Sequence, residues 1–161
     1  MADGTIITHF IDALAVCSCI VESAHNEICY IAPPSLLVFG SRFDLLDTKT
    51  LIQKGGLVRG IANFSHRYIN KVQEILDKGT HLRYSSERQG IFMLVGDGYE
   101  SISAAGVFPE SLSIDTPIVA LWNFNPAYGK FLMSAFESTW ERSIPAKQRI
   151  QELLAAWSPD N

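Results

Sequence analysis

Apolar positions along the first half of the chain alternate between helical and strand-like spacing. Phe10, Leu14, Cys17 and Val21 recur every three or four residues, and Ala13, Val16 and Ile20 widen the stripe. That period predicts a well-buried helix over 6–23, ended by His25-Asn26. "EICYIA", over 27–32, is a short β-rich run stopped by Pro33-Pro34. "SLLVFG" fits a strand or a helix. The stretch from Ser41 predicts a helix that Ser41 can cap and Gly55-Gly56 terminates. A strand over 57–63 follows. Ser65 then opens a helix with Tyr68, Ile69, Val72, Ile75 and Leu76 on one side, ending at Lys78-Gly79.

The second half changes rhythm. "HLRYS" reads as a strand, and "IFMLVGD" with "YESIS" forms a hairpin around Asp97-Gly98. Residues 116–123 make a further strand. Tyr128, Phe131, Leu132, Ala135, Phe136 and Thr139 then mark a helix ending near Trp140. Ser143 can cap a last helix, with Pro145 in its first turn, where a missing N–H does no harm. Helices alternating with strands favour parallel pairing through helical crossovers, and the hairpin makes the sheet mixed. The expectation is a single α/β domain over 1–161: a mixed, mostly parallel sheet flanked by helices, with a C-terminal helical pair at 125–157.

Composition fits that reading. The chain has 161 residues, 47% hydrophobic and 19% charged, with nine Phe, five Tyr and three Trp. This is the balance of a folded globule, not of a disordered tail. Net charge is −4, and no run of Lys and Arg offers a track for phosphates, so no nucleic-acid partner is expected. Arg142, Lys147 and Arg149 interleave with Glu141 and Glu152 as a solvated helix face does. Three cysteines, Cys17, Cys19 and Cys29, argue against a disulfide framework and for a reducing compartment. They read as small buried thiols, with a redox-responsive set as the minority alternative. The N-terminal stretch lacks a signal-peptide pattern, and the apolar run 11–21 is too short to span a bilayer. A cytoplasmic protein without a membrane partner is the expectation.

Candidate chemistry is sparse. His9, His25, His66 and His81 show no metal-ligand spacing, and no cofactor loop or nucleophile elbow is present. No metal and no cofactor are expected. Asp97 invites two readings: a hairpin residue chosen for its tolerance of positive φ, or a carboxylate facing a ligand.

The units "LVRGIANFS", "YINKVQEILDKG", "THLRYS" and "GIFMLVGDGYESIS" together resemble the phospholipase-D-like fold. In that family a strand, a helix and a strand lead to HxKxxxxD and a GSxN-type element. The family's His attacks phosphorus while its Lys holds the phosphate oxygens. With Asp97 as the motif's Asp, Gly90 falls at the nucleophile and Phe92 at the lysine. Ala104, Ala105 and Val107 take the Gly-Ser-x-Asn places. The resemblance implies the fold and argues against the reaction.

"FLMSAFESTWERSIPAKQRIQEL", over 131–153, is similar to the end of sensor domains in archaeal signal-transduction proteins, especially those attached to histidine kinases. That resemblance implies a non-catalytic sensory or regulatory domain that binds a small ligand or a signalling protein. Open α/β sheets bind at the carboxyl ends of their strands, which points to 32–35, 63–65, 84–89 and 123–125. Asn63, Arg83, Tyr84, Arg88 and Asp97 are the candidate ligand residues, although Arg83 and Arg88 also read as exposed strand-end charges. Phe136, Trp140 and Trp157 are expected near a homodimer contact, or alternatively in the core or a ligand cage. The rival expectation is a phosphodiesterase-class hydrolase working through His81 and Asp97.

Overall fold

The computed structural model describes residues 3–42, 47–87, 90–106 and 108–157. Eight strands form one sheet in the order β1-β7-β6-β5-β2-β3-β4-β8. Its centre is β2 (Glu27–Ala32), β3 (Leu57–Ala62) and β4 (His81–Tyr84), which pair in parallel. Beside β2 runs the antiparallel hairpin of β5 (Ile91–Gly96) and β6 (Glu100–Ala105). β7 (Pro117–Asn123) and β1 (Gly4–His9) extend the sheet beyond it. At the other edge β8, only Ile144–Pro145, pairs antiparallel with β4. Parallel pairing is thus confined to β2, β3 and β4.

Among the described residues six helices cover the sheet: α1 (Phe10–Ser23), α2 (Pro34–Arg42), α3 (Lys49–Gln53), α4 (Ile69–Asp77), α5 (Pro126–Arg142) and α6 (Ala146–Ala156). A 3-10 turn, His66–Tyr68, leads into α4. Side chains of α1, α3, α4 and α6 share one core with Ile28, Tyr30, Val58 and Leu94. Helix α5 covers the opposite face, where Leu132 and Phe136 meet Cys29, Ile31, Ile61 and Val95. Successive residues of β2 therefore enter opposite cores, so "EICYIA" is apolar throughout instead of alternating.

Two elements differ from the sequence reading. Residues 4–9 are strand β1, not the start of α1. Ile6 and Ile7 fit the helical stripe, but pairing with Leu121 and Ala120 of β7 wins. "SLLVFG" is helical, within α2. Residues 43–46 of the stretch expected to be helical lie outside the described residues; downstream of them α3 is only five residues long. At the other end Ser143 closes α5 instead of opening α6, its hydroxyl donating to the Trp140 carbonyl at 2.6 Å.

Candidate functional site

The strand directions decide which residues meet. β2, β3 and β4 all end at one edge of the sheet, where β5 begins. The chain leaves β2 through Pro33-Pro34 into α2, leaves β3 through Asn63-Phe64-Ser65 into the 3-10 turn, and leaves β4 at Ser85. Two adjoining clefts open there and share Pro33, Pro34 and Asn63. The smaller, about 170 Å3, has a floor of Ile31, Ala32, Ile61 and Ala62 and a rim of Asn63, Ser85 and Gly90. The larger, about 330 Å3, is lined by Ser35, Ser65, Tyr68, Tyr84, Arg149 and Leu153, with Phe108 and Glu110 beside them.

The polar groups in this cleft are largely unspent. Among the described residues, the side chains of Ser35, Asn63, Ser65, Tyr68 and Tyr84 make no hydrogen bond to protein. Aromatic rings and cations interleave around them. The Arg149 guanidinium lies 4.5 Å from the Tyr84 ring and that of Arg67 5.4 Å from the Tyr68 ring. The His66 imidazole stacks on the Trp157 indole at 4.9 Å. Both arginines also touch carboxylates, Arg67 with Glu110 at 3.1 Å and Arg149 with Glu152 at 3.3 Å. Such partly solvated pairs are weak, about 0–1 kcal/mol, so an incoming anion competes with them easily.

The HxKxxxxD frame begins at the same edge with Gly90 and runs along β5 to Asp97 at the opposite edge, and the structure shows why a His and a Lys do not stand in its first two places. Gly90 holds a φ of 76° and its carbonyl accepts the Gly106 N–H at 2.8 Å. A Cβ added at Gly90 would stand 2.8 Å from the Gly106 carbonyl oxygen. Phe92 points into the α1 side of the core. Neither position offers a group to the cleft.

This sheet, with its parallel centre, its adjoining hairpin and its cleft at the carboxyl edge, has counterparts among solved structures. NucT from Helicobacter pylori aligns with a TM-score of 0.71 at 12% identity, over 88% of this chain and 98% of that one. Nuc from Salmonella typhimurium, a phospholipase D family member, aligns with a TM-score of 0.67 at 12% identity, over 88% and 97%.

The fold is phospholipase-D-like.

TrmBL2, an archaeal chromatin protein with a novel mode of DNA binding, aligns with a TM-score of 0.66 at 14% identity. The match covers 90% of this chain, which spans about half of that protein, 55%. No protein-family model matches the sequence, and no curated protein does. At such identities the likeness is one of fold. It still overturns the expectations of a non-catalytic sensory domain and of no nucleic-acid partner. The neighbours named here include a phospholipase D family member and a DNA-binding chromatin protein.

The expected site residues separate on the phospholipase-D-like sheet. Asn63 and Tyr84 come together in the cleft. Arg83 does not join them: its guanidinium donates to the Trp140 carbonyl at 2.9 Å and lies 4.4 Å from the Trp140 ring, toward α5. Arg88 lies outside the described residues. Residues 123–125 stand at the opposite edge, because β7 runs antiparallel to β6.

Asp97 is also at that opposite edge. Its carboxylate accepts backbone N–H groups of His25 at 2.8 Å, Asn26 at 2.8 Å and Glu27 at 2.9 Å. Burial opposes its ionisation, but the three donors outweigh burial and lower its pKa. His81 shares that edge, but β2 and β3 lie between β4 and β5, a separation of about 14 Å. The two residues therefore form no catalytic pair.

The expected dimer residues separate as well. Phe136 is 0% exposed, in the core under α5. Trp140 stacks on it and on Arg59. Trp157, 54% exposed, stacks on His66, which adjoins the cleft residue Ser65 in the chain. A redox role finds little support: burial pushes the Cys17 thiol up to about 12 and raises that of Cys29 as well, and a protonated thiol is a poor nucleophile.

Ser35 falls in the expected zone 32–35, whereas His66, Arg67 and Arg149 were missed as site residues. Arg149 sat in what read as a solvated face. The "SHRY" run after a strand, over 65–68, was the available signal: a polar, cationic and aromatic tetrapeptide at a strand's carboxyl end.

Proposed function

We propose that this domain binds nucleic acid, with a single strand lying across the cleft at the carboxyl edge of β2, β3 and β4. One observation carries the reading: hydrogen-bonding side chains without protein partners converge there beside aromatic and cationic surfaces. Rings accept unstacked bases, while amides, hydroxyls and guanidinium groups take backbone phosphates. Duplex bases are already stacked on one another, so single strands suit the aromatic rim better. The DNA-binding neighbour TrmBL2 supports the same ligand class. A cytoplasmic location accords with three free cysteines.

The charge balance sets the strength. With a net charge of −4, and Arg67 and Arg149 as the cations at the site, attraction is local and not global. Two neutralised phosphates give a slope of log K against log salt of about −1.4. The test is fluorescence anisotropy of a labelled single-stranded oligonucleotide across a salt series. Binding with that shallow slope, weakened in Arg67→Ala and Arg149→Ala, is the expected result. No binding at low salt defeats the proposal.

Hydrolysis of the bound strand is a second reading, favoured by His66. Its imidazole is exposed on the 3-10 turn, and stacking on Trp157 covers the ring face while leaving the nitrogens at the ring edge free. Attack by a ring nitrogen on phosphorus would break the P–O bond to the leaving alcohol, and water would then cleave the phosphohistidine. Arg67 is the adjacent cation for the phosphate oxygens. Turnover of an aryl phosphodiester that disappears in His66→Ala supports this chemistry; turnover unchanged by that substitution removes it.

A further inference from the structure

We infer that the amino end of α2 is a phosphate subsite, built from Ser35, Asn63 and Arg149 and lying outside the HxKxxxxD frame. The inference deepens the nucleic-acid reading and rests on it for the natural ligand, a backbone or terminal phosphate.

Three observations meet at this point. The first is the helix end. Pro34 has no N–H, and the N–H groups of Leu36 and Leu37 both donate to the Pro33 carbonyl, at 3.0 and 3.4 Å. The Ser35 N–H is left without a backbone partner among the described residues. Ser35 is the second residue of a nine-residue helix, so the dipole favours an anion there.

The second is the Ser35 hydroxyl. Ser35 is only 7% exposed, lines the larger cleft, and makes no side-chain hydrogen bond to protein. The hydroxyl oxygen is not among the sealed unpaired atoms, so it faces the cleft and is open to a ligand there.

The third is Arg149, across the same cleft. Its Nε is buried and has no hydrogen-bond partner. Its guanidinium lies 4.5 Å from the Tyr84 ring centre, while its Nη1 reaches Glu152 only at a long 3.3 Å. A guanidinium normally spends its donors on a planar fork of oxygens. Here most of them are unspent. The Asn63 amide, also unpaired, lines the same cleft and is shared by both clefts.

A tetrahedral oxyanion answers all three vacancies at once. One oxygen takes the Ser35 N–H and hydroxyl, a second takes the Asn63 amide, and a third takes a terminal N–H of the partly exposed Arg149 guanidinium. Ser85, on the rim of the smaller cleft, already accepts the Glu87 N–H at 3.2 Å, so it is not part of the set.

The test uses the full chain with inorganic phosphate and with oligonucleotides carrying a 5′-phosphate or a 5′-hydroxyl. Ser35→Ala removes the hydroxyl at a helical position where Ala is well tolerated. Arg149→Lys keeps the charge and loses the planar guanidinium fork. Inorganic phosphate is expected to raise the melting temperature more than chloride at equal ionic strength, and each variant to lose about tenfold in phosphate affinity. A 5′-phosphate preference lost in Ser35→Ala assigns the subsite to a strand end. Equal affinities for both oligonucleotides, both weakened in Ser35→Ala, assign it to the backbone.

The two proposals fail separately. Phosphate binding without oligonucleotide binding sinks the nucleic-acid reading and leaves the subsite. Oligonucleotide binding that both variants retain in full, with no phosphate-specific stabilisation, overturns the subsite. Both variants melting at the parent's temperature in chloride shows that a lost response is not a folding defect. Should either melt early, Asn63→Leu serves as the third probe, with the same tenfold loss expected.

Discussion

The carboxylate of Asp97 accepts the backbone N–H of His25 at 2.8 Å across 72 positions of chain. It joins the β5–β6 turn to the loop between α1 and β2, and the N–H groups of Asn26 and Glu27 complete the set. Asp97 is also the one non-glycine residue with positive φ, 52°, among the described residues. A hairpin residue chosen for its backbone has become a clasp.

Asp97→Ala strands three N–H donors and removes a side chain suited to the left-handed region. We expect a loss of about 1–2 kcal/mol, kept modest because the turn is open to water that can replace the carboxylate. The folded-state pKa is below the ordinary carboxylate value. Its contribution is therefore complete above the unfolded pKa, about 3.9, and is lost as pH falls through the folded value. Chemical denaturation from pH 7 down to pH 2 should show the gap between parent and Asp97→Asn closing at the acid end.

Arg59 is expected to be the most damaging charge to remove. Its Nε donates to Glu27 at 2.8 Å and its Nη1 to Glu137 at 3.1 Å, and the guanidinium stacks near Phe136 and Trp140. Its hydrogen bond to Glu137 leads the effects that raise the arginine's pKa and lower the glutamate's. Arg59→Ala leaves Glu27 and Glu137 uncompensated beside α5 and should cost about 3 kcal/mol in urea unfolding. Arg59→Lys restores charge without the fork and should recover less than half of that.

Gly60→Ala tests the packing of β2 on β3. A Cβ there would fall inside the Tyr30 ring, which is itself buried. Both strands are fixed by neighbours on each side, so relief requires moving the ring into the α1 core. A loss of about 2–3 kcal/mol is expected, visible as a lower urea midpoint with an unchanged m-value.

Rebuilding the family motif as Gly90→His with Phe92→Lys should give an unstable protein and no gain in phosphodiester turnover. The first change forces a side chain onto positive φ and against the Gly106 carbonyl, and the second buries an amine in the α1 core. A stable double variant with new activity would show that the cleft had kept its old chemistry in reserve.

Trp157→Ala should weaken single-stranded oligonucleotide binding by about 1–3 kcal/mol while leaving the melting temperature nearly unchanged. Half of that side chain is exposed, and its recorded ring partner is His66. Anisotropy and thermal melting on the same preparation separate the two effects.

Much of the sheet was legible because its strands are punctuated. Pro33-Pro34 ends β2, Gly55-Gly56 precedes β3, Gly79 precedes β4, and Asp97-Gly98 turns β5 into β6. β1 was not, because a six-residue edge strand joined directly to an apolar helix carries no break in period. β8 escaped for a related reason. A two-residue strand has no pattern, and it exists only because Tyr84 offers Ile144 a partner. The cleft was half legible: the rule that open sheets bind at carboxyl ends located Asn63, Tyr84 and the stretch that holds Ser35. Arg149 needed coordinates, since a helix residue's place across a cleft is a property of surroundings and not of sequence. Phe136 misled for the opposite reason, an aromatic on a helical stripe being equally at home facing a partner or a core.

The short crossing at β8 has a mechanical consequence. Helix α5 lies on one face of the sheet and α6 on the other, and the chain passes between them by hooking over β4 at Tyr84. Tyr84 also carries the Arg149 guanidinium. Load applied beyond α6 would be borne by the strand that frames the cleft, whereas load at Gly4 would fall on the far side of the sheet. A bulky fusion after Trp157 should disturb oligonucleotide affinity, and the same cargo attached before β1 should leave it intact.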